Sequence, residues 1–324
     1  MQTLSEIKKH VNNLLRIAER VNGKMGKRKE YSKVQELPTG RAGDEITEGC
    51  LVLEGGAWKC LYTIGVVDAL MIHGINFRTT VGISGGALTG LGYVSGQIGW
   101  AAGVDLRYRH DRKYCGIGAY RKDHGITGFS YLFKELNKAY PLDKERLYSS
   151  PRELVVGATN MITGEVEYFR KSERKILRPA QASATVPYIS RPVVLGGIPY
   201  LDGGCVEKVP YEWAKKQNEK KIIVVKTREL SYRRKEGDMR IARLMYKDYP
   251  KLVEGMSHAN ARFNDVTQEL IKDSDEGRTF LIAPSRAVDV SRFEGDMEKL
   301  GELYWLGYHD LENNLDKLEK YLKN

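Results

Sequence analysis

The sequence has little cysteine and no long apolar run, and both shortages narrow the class of protein. Its four cysteines (Cys50, Cys60, Cys115 and Cys205) form no CxxC pair and no zinc-finger spacing, which disfavours a disulfide scaffold and a metal site. No stretch approaches the ~20 apolar residues that a transmembrane helix needs. Charged residues stand where a secretory signal would carry its apolar core. We therefore expect a cytoplasmic protein with reduced thiols. Peripheral contact with a membrane surface is compatible with this expectation.

The chain does have a large hydrophobic fraction and an excess of positive charge. Hydrophobic residues make up 41% of its 324 residues, enough for a sizeable core. The net charge of +10 favours anionic partners, although a generally basic surface would give the same number. Nucleic acid is not expected, because no binding motif accompanies the Arg- and Tyr-rich stretch 107–122. We hypothesise instead that this stretch and the basic stretch 228–249 flank the functional site and meet anionic headgroups.

The N-terminal part of the chain differs in pattern from the rest. Residues 3–22 predict an amphipathic helix, and the polar, basic residues 23–48 predict a linker or mobile arm, so residues 1–48 form an extension. Over residues 49–324, apolar runs alternate with helical patterns, and no repeat or low-complexity linker divides them. Strands that alternate with helices predict a largely parallel sheet covered on both faces. We therefore expect one α/β domain on residues 49–324.

The pattern Gly82-Ile83-Ser84-Gly85-Gly86 matches GxSxG and stands between a predicted strand and a small-residue helix. That context is typical of a nucleophile elbow, in which the serine occupies a strained turn. Gly82 and Gly86 lack the bulk that would keep strand and helix apart. The helix N-terminus would point its N–H groups toward the Ser84 oxygen. Ser84 is therefore the candidate nucleophile.

A second glycine-rich turn, Gly55-Gly56-Ala57-Trp58-Lys59, follows the strand predicted over 50–53. Consecutive N–H groups at the start of a helix form a cradle for an anion. The turn lacks the GxxxxGK[ST] spacing, so a nucleotide P-loop is disfavoured. An oxyanion hole for a tetrahedral acyl intermediate suits it better, with donors worth on the order of a few kcal/mol each. Taken alone, these glycines would also fit a plain turn between strand and helix.

A third motif, Asp202-Gly203-Gly204, ends a predicted hairpin strand. A serine hydroxyl needs an adjacent base, because it is almost fully protonated at neutral pH, and the Asp202 carboxylate could accept its proton. An ordinary Asp-Gly turn is the alternative for this motif considered alone.

Taken in order, the three motifs resemble the patatin-like phospholipase family. That family carries a glycine-rich oxyanion loop with a basic residue, GxSxG on an elbow, and a later Asp-Gly-Gly or Asp-Gly-Ala. The segment 182–187 (ASATVP) is similar to the small-residue helix and proline that precede the family's aspartate hairpin. The resemblance implies a three-layer α/β sandwich with a mostly parallel central sheet. It also implies hydrolysis of a carboxylic ester of a phospholipid or related lipid, through an acyl-serine intermediate and without a metal or cofactor.

The resemblance assigns roles to particular positions of this chain. Ser84 and Asp202 would form a catalytic dyad that has no histidine. The supporting positions are the oxyanion donors Gly55, Gly56 and Ala57, the basic loop residue Lys59, and the glycines of the elbow and the Asp-Gly turn, Gly82, Gly86, Gly203 and Gly204. The family usually has glycine where this chain has Ala57, and often glycine where it has Cys60. Because alanine cannot adopt every glycine dihedral and Trp58 is bulky, we expect a narrower or shifted oxyanion hole.

Two other interpretations stay open at this point. One is an α/β-hydrolase with a triad of Ser84, Asp202 and either His258 or His309, although both histidines stand in polar helical patterns that favour the surface. The other is a membrane-surface or regulatory protein that kept the fold and lost turnover, which the departures at Ala57 and Cys60 suggest.

Overall fold

The computed structural model describes residues 29–324 and, ahead of them, residues 9, 11–13 and 16. The helix predicted over 3–22 therefore lies largely outside the described residues. The strands are β1 (Gly40–Arg41), β2 (Thr47–Leu53), β3 (Phe77–Ile83), β4 (Gln97–Ile98), β5 (Glu153–Asn160), β6 (Val166–Arg170), β7 (Val193–Leu195), β8 (Ile198–Asp202), β9 (Ile222–Val225) and β10 (Phe280–Ile282). The α-helices from residue 60 onward are α1 (Cys60–Ile72), α2 (Gly85–Val94), α3 (Trp100–Tyr108), α4 (Ile117–Asp123), α5 (Asn137–Ala139), α6 (Lys144–Ser149), α7 (Leu177–Ser183), α8 (Tyr211–Lys215), α9 (Arg240–Met245), α10 (Pro250–Asp275), α11 (Met297–Glu312) and α12 (Leu315–Lys323).

One eight-stranded sheet organises the described residues. Its order is β10-β9-β2-β3-β5-β8-β7, and β6 pairs with β5. The strands from β10 through β5 run parallel, whereas β6, β7 and β8 are antiparallel to their neighbours. Because β2 and β3 are parallel neighbours, their carboxyl ends lie side by side at one edge of the sheet. The glycine turn after β2 and the Ser84 turn after β3 are adjacent for this reason.

The two faces of the sheet bury two separate cores. In β2, Leu51 and Leu53 belong to the core that includes α1, α2 and α11, whereas Cys50 and Val52 belong to the core with α8 and α10. All four side chains are fully buried. Strands covered on both faces are apolar throughout instead of alternating, which is the pattern the sequence shows here. The predicted α/β fold of helix, mostly parallel sheet and helix is confirmed.

Among the residues that the structure describes, no helix is both long enough and apolar enough to cross a membrane. All four cysteines are buried thiols.

Residues 31–48 pack against the domain, so their interpretation as part of a linker was wrong. Tyr31, Val34 and Leu37 are buried, and β1 pairs with β4. The Tyr31 ring fills the space beside Gly301 on α11, where an added Cβ would lie 2.2 Å from the ring. These anchors recur at every third residue within a strongly charged stretch, and the surrounding charge masked them.

Close backbone contact joins α1, which follows the glycine turn, to the C-terminal helix α11. A Cβ on Gly65 would lie 2.0 Å from the Tyr304 backbone oxygen, and one on Gly307 would lie 2.0 Å from the Tyr62 oxygen. Each of these tyrosines also donates a 3.0 Å hydrogen bond to an aspartate on the opposite helix. The C-terminal segment is therefore packed directly onto the helix that carries the candidate oxyanion loop.

Replacing Gly65 with alanine is expected to destabilise the protein by about 2–3 kcal/mol or more, because the new methyl group meets backbone that cannot rotate away. Denaturant unfolding monitored by circular dichroism measures the change. Gly43→Ala is the matched control, since its Cβ would meet nothing within 4 Å. Equal stabilities for the two variants would contradict the close packing of α1 on α11.

Candidate active site

Ser84 occupies a strained turn between β3 and α2. Its φ is 56° and its ψ is −125°, a conformation that residues with side chains rarely adopt. The surrounding backbone holds the turn tightly. A Cβ on Gly82 would lie 2.6 Å from the Gly86 oxygen, and one on Gly86 would lie 2.6 Å from the Leu53 oxygen. The strand, turn and helix predicted from GxSxG are all present.

The structure brings Ser84 and Asp202 together across 118 positions of sequence. Ser84 Oγ donates a hydrogen bond to Asp202 Oδ2 at 2.7 Å. The other carboxylate oxygen, Oδ1, accepts the Gly204 N–H at 2.7 Å. Gly203 lies where a Cβ would be 2.5 Å from the Gly157 oxygen, so a larger residue would push the aspartate away. Both carboxylate oxygens are therefore oriented, one by the turn and one by the serine.

The environment of Asp202 favours its acting as a proton acceptor. The side chain is only 8% exposed, and burial raises the pKa of the Asp202 carboxyl above its ordinary value. Hydrogen bonds from Ser84 and Gly204, together with the charges of Arg292 and Lys208, offset part of that rise. A desolvated but hydrogen-bonded carboxylate has a pKa closer to the operating pH, which suits general-base chemistry.

Two hydroxyl groups outside the motifs hold the backbone of this pair. Ser183 Oγ accepts the Ser84 N–H at 2.8 Å and donates to the Gly157 oxygen at 2.6 Å. Thr159 Oγ1 donates to the Asp202 backbone oxygen at 2.9 Å. Sequence reasoning missed both roles. Ser183 lies in the small-residue segment that resembles the family, but no spacing signals its hydrogen bonds, and Thr159 lies inside a strand with no motif.

The glycine turn after β2 lies directly against the serine. A Cβ on Gly55 would be 3.0 Å from Ser84 Cβ, so only glycine fits there without displacement. The Gly55 N–H, however, donates to the Lys208 backbone oxygen at 3.0 Å. That bond removes Gly55 from the predicted oxyanion donors, because its N–H is already engaged by a backbone carbonyl. Gly56 and Ala57 continue the turn, and Ala57 lines the same cavity as Ser84.

The positions that depart from the family pattern shape this turn. Ala57 adopts a φ of 50°, a left-handed conformation in which the family's usual glycine would be unstrained. Trp58 lies beneath the guanidinium of Arg109, 4.5 Å from the ring centre. The Cys60 thiol fills the gap beside the serine turn, since a Cβ on Gly85 would lie 2.5 Å from Cys60 Sγ. The turn is therefore formed with Ala57 in a strained conformation. The Cys60 thiol occupies space that a glycine at that position would leave empty.

The positions of Arg109 and Tyr114 bear on the hypothesis that the basic stretch 107–122 meets anionic headgroups. Arg109 is 1% exposed and donates to the backbone oxygens of Phe293 and Glu294. Tyr114 is buried as well. The idea that the stretch 107–122 meets headgroups is therefore wrong for these two residues, whose side chains face the protein interior.

A buried ion pair stabilises the strand end that leads into the glycine turn. Lys226 Nζ lies 3.3 Å from Glu54 Oε2, and both side chains are essentially unexposed. The same oxygen accepts the Thr227 N–H at 3.0 Å, while Lys226 Nζ donates to Thr267 Oγ1 at 2.9 Å. Glu54 immediately precedes Gly55, so these bonds tie the end of β2 to the end of β9. The ion pair thereby holds the turn against the serine.

Ser84 opens into a largely apolar cavity with about 910 Å³ of empty space, its open mouth included. Its apolar lining residues include Trp58, Leu88, Trp100, Val104, Leu132 and Phe293. Phe293 and its neighbour Arg292 belong to the segment between β10 and α11, so the C-terminal part of the chain supplies one wall. Sequence reasoning missed that contribution, because no motif marks the segment.

The two candidate histidines lie elsewhere. His258 is exposed on α10, and His309 is exposed on α11. Neither contributes to the lining of the Ser84 cavity, as far as residues 29–324 define it.

The fold and the site define an α/β protein whose elbow serine is hydrogen-bonded to an aspartate and lines an apolar cavity. The family model described as "Patatin-like phospholipase" matches residues 51–215, and the chain belongs to this family. A second model, described as "Domain of unknown function (DUF6363)", matches residues 249–323. Ser84 and Asp202 lie within the first match, whereas the cavity wall at Phe293 lies within the second.

Individual proteins also resemble the chain. "Uncharacterized protein YjjU" of Escherichia coli (strain K12) is 27% identical over 264 residues, which span 79% of this chain and 74% of that protein. "Probable lipid hydrolase 463L" of Invertebrate iridescent virus 6 is 28% identical over 192 residues, or 53% of this chain and 64% of the viral protein. Among solved structures, VipD from Legionella pneumophila covers 92% of this chain and 73% of its own, with 14% identity and a TM-score of 0.47.

Breaking the buried ion pair at one end is expected to cost about 3–5 kcal/mol of stability, because the remaining buried charge loses the partner that lies in contact with it. Lys226→Met is the test variant, with urea unfolding as the measurement. In the double variant Glu54→Gln/Lys226→Met both charges are absent, so most of the loss should be recovered. A double variant as unstable as the single one would show that the pair does not carry this energy.

Proposed function

We propose that the protein is a serine lipid acyl hydrolase that cleaves carboxylic esters of phospholipids or related lipids. The observation that carries the proposal is the 2.7 Å hydrogen bond to Asp202 from the Oγ of Ser84, a residue that lines the apolar cavity. Membership of the patatin-like phospholipase family supports a lipid substrate. The viral relative, named a probable lipid hydrolase, agrees with a lipid substrate.

In the acylation half of the reaction, Ser84 Oγ attacks the carbonyl carbon of the ester while its proton passes to Asp202. The tetrahedral intermediate places negative charge on the former carbonyl oxygen. The N–H groups of Gly56 and Ala57, and the positive end of α2, are the nearby groups suited to that charge. As the intermediate collapses, the C–O bond to the alcohol breaks and the alcohol leaves with the proton held by Asp202.

In the deacylation half, a water molecule attacks the acyl-Ser84 carbonyl and gives its proton to Asp202. The second tetrahedral intermediate breaks its bond to Ser84 Oγ, which takes the proton back, and the fatty acid leaves. The aspartate thus ends the cycle ionised, as it began, and no further group is consumed.

Lys59 contributes positive charge beside the glycine turn. Burial and the neighbouring charges of Arg228 and Arg292 lower the pKa of the Lys59 ammonium to about 8. At neutral pH most molecules therefore carry the charge, and it favours the developing oxyanion in a partly desolvated site.

The apolar cavity suits the acyl chain of the substrate. Each methylene group that leaves water contributes roughly 0.8 kcal/mol. Side chains such as Leu88 and Leu132 offer that environment within the cavity that begins at Ser84. A longer acyl chain should therefore lower KM until the cavity is filled.

The structure gives less support to a Ser-Asp-His triad and to a non-catalytic protein. A Ser-Asp-His triad needs a histidine beside Asp202, and both His258 and His309 are exposed on helices outside the cavity. A non-catalytic protein would have no use for a strained serine held at hydrogen-bond distance from a buried carboxylate.

Ser84→Ala and Asp202→Asn are each expected to lower kcat/KM for 4-nitrophenyl esters by a factor on the order of 10³ or more, because the nucleophile or its base is lost. His258→Ala and His309→Ala are the controls and should leave kcat/KM unchanged. Esters of increasing chain length measured on the same variants report the cavity's contribution. Loss of turnover in a folded histidine variant would reinstate the triad.

The acid side of the pH profile should report Asp202. Its carboxylate accepts the serine proton only when ionised, so activity falls as the pH drops through its pKa. Burial places that pKa above the ordinary 3.8, and the midpoint of the fall in kcat/KM should lie above 3.8 as well. A rate that stays constant down to that pH would contradict a catalytic carboxylate at this position.

A further inference from the structure

Five basic side chains lie near one another: the charges of Arg228, Arg234 and Arg292 act on Lys59, and those of Arg234 and Arg292 act on Lys208. They form what we call the cationic cluster: Lys59, Lys208, Arg228, Arg234 and Arg292. Arg292 lines the same cavity as Ser84. Lys208 Nζ donates to the Gly204 oxygen at 3.0 Å, two residues after the catalytic aspartate.

Aromatic rings hold two of the guanidinium groups in place. The Arg228 guanidinium lies 4.7 Å from the centre of the Tyr232 ring, and that of Arg234 lies 5.8 Å from the same ring. Arg234 also lies 4.7 Å from the ring centre of Phe263. Stacking on rings orients a guanidinium without consuming its N–H donors. The two groups therefore have fixed positions, and Arg228 is further held by a hydrogen bond from Nη1 to the Val288 backbone oxygen.

The cluster has more positive charge than its surroundings neutralise. Burial, then Arg234, lowers the pKa of Lys208 to about 8, and Arg292 acts in the same direction. Two neighbouring carboxylates are shared with other groups: Glu54, whose charge also acts on Arg234, pairs with Lys226, and Asp202 accepts a hydrogen bond from the serine. In addition, the buried Nε atoms of Arg228 and Arg234 have no hydrogen-bond partner among the described residues.

We propose that the cationic cluster is a binding subsite for the phosphate group of an anionic lipid whose ester carbonyl lies at Ser84. This inference rests on the proposed lipid hydrolase function and names its substrate class. A phosphate offers several acceptor oxygens to guanidinium and ammonium donors at once. A headgroup with its own cation, such as choline, would bring like charge to the same place. The subsite therefore selects lipids with a net negative headgroup over zwitterionic and uncharged ones.

Most of the cluster lies outside the patatin-like match, which covers residues 51–215. Arg228 and Arg234 lie between the two family matches, and Arg292 lies within the second. Only Lys59 and Lys208 fall inside residues 51–215. The catalytic pair therefore comes from the patatin-like segment, and most of the headgroup recognition comes from residues beyond it.

The test compares two esters with the same acyl chain, 1-acylglycerol 3-phosphate and 1-acylglycerol, through the ratio of their kcat/KM values. The ratio should exceed one in the unmodified protein. Arg292→Gln should lower it about tenfold, the typical effect of one charge-assisted hydrogen bond, and Arg228→Gln/Arg292→Gln should lower it further. Arg286→Gln is the matched control, because it removes an exposed charge from the same segment between β10 and α11 and should leave the ratio unchanged.

The possible outcomes separate the subsite from the proposed function. If both esters are hydrolysed in a Ser84-dependent way and the ratio is one or less, or ignores Arg292, the subsite is overturned and the hydrolase stands. If Ser84→Ala leaves the hydrolysis rates of both esters unchanged, the proposed function itself fails.

A binding measurement keeps the subsite testable without turnover. Calorimetric titration of the Ser84→Ala protein with 1-acylglycerol 3-phosphate should show binding that weakens about tenfold when Arg292→Gln is added. Absence of Arg292-dependent binding would overturn the proposal. Inorganic phosphate that binds as tightly as the lysolipid, and equally Arg292-dependently, would assign the cluster to free phosphate instead of a lipid headgroup.

Discussion

The hydrogen bond between Ser84 and Asp202 depends on how β5 is shared between its two neighbours. On one side β5 runs parallel to β3, with Ile83 opposite Gly157. On the other side it runs antiparallel to β8, with Ala158 opposite Asp202. Successive residues of one strand thus set the position of the serine turn and of the aspartate. A slip of one residue in either pairing would separate the two side chains, because side chains alternate between the faces of a sheet.

The sequence predicted the parts of this site that depend on local pattern. Ser84 and Asp202 stand in short motifs at the ends of apolar runs, and such motifs report turns whose geometry is set by neighbouring residues. The parallel sheet followed from the alternation of strands and helices. These features need no knowledge of distant contacts, which is why sequence reasoning reached them.

The features that sequence reasoning missed are all made by contacts between distant residues. The engagement of the Gly55 N–H depends on the Lys208 carbonyl, and the support of the serine turn depends on Ser183. The burial of Arg109 depends on carbonyl groups that lie 184 and 185 positions away. A basic residue in a basic stretch suggests solvent, and only the folded packing reverses that expectation.

We propose that Ser84 is a nucleophile activated by Asp202. The most direct measurement is covalent labelling with a fluorophosphonate ester, followed by mass spectrometry of the digested protein. We expect a single adduct on Ser84, formed much more slowly in Asp202→Asn and absent in Ser84→Ala. A folded protein that acquires no adduct at Ser84, or that labels at the same rate without the aspartate, would contradict it.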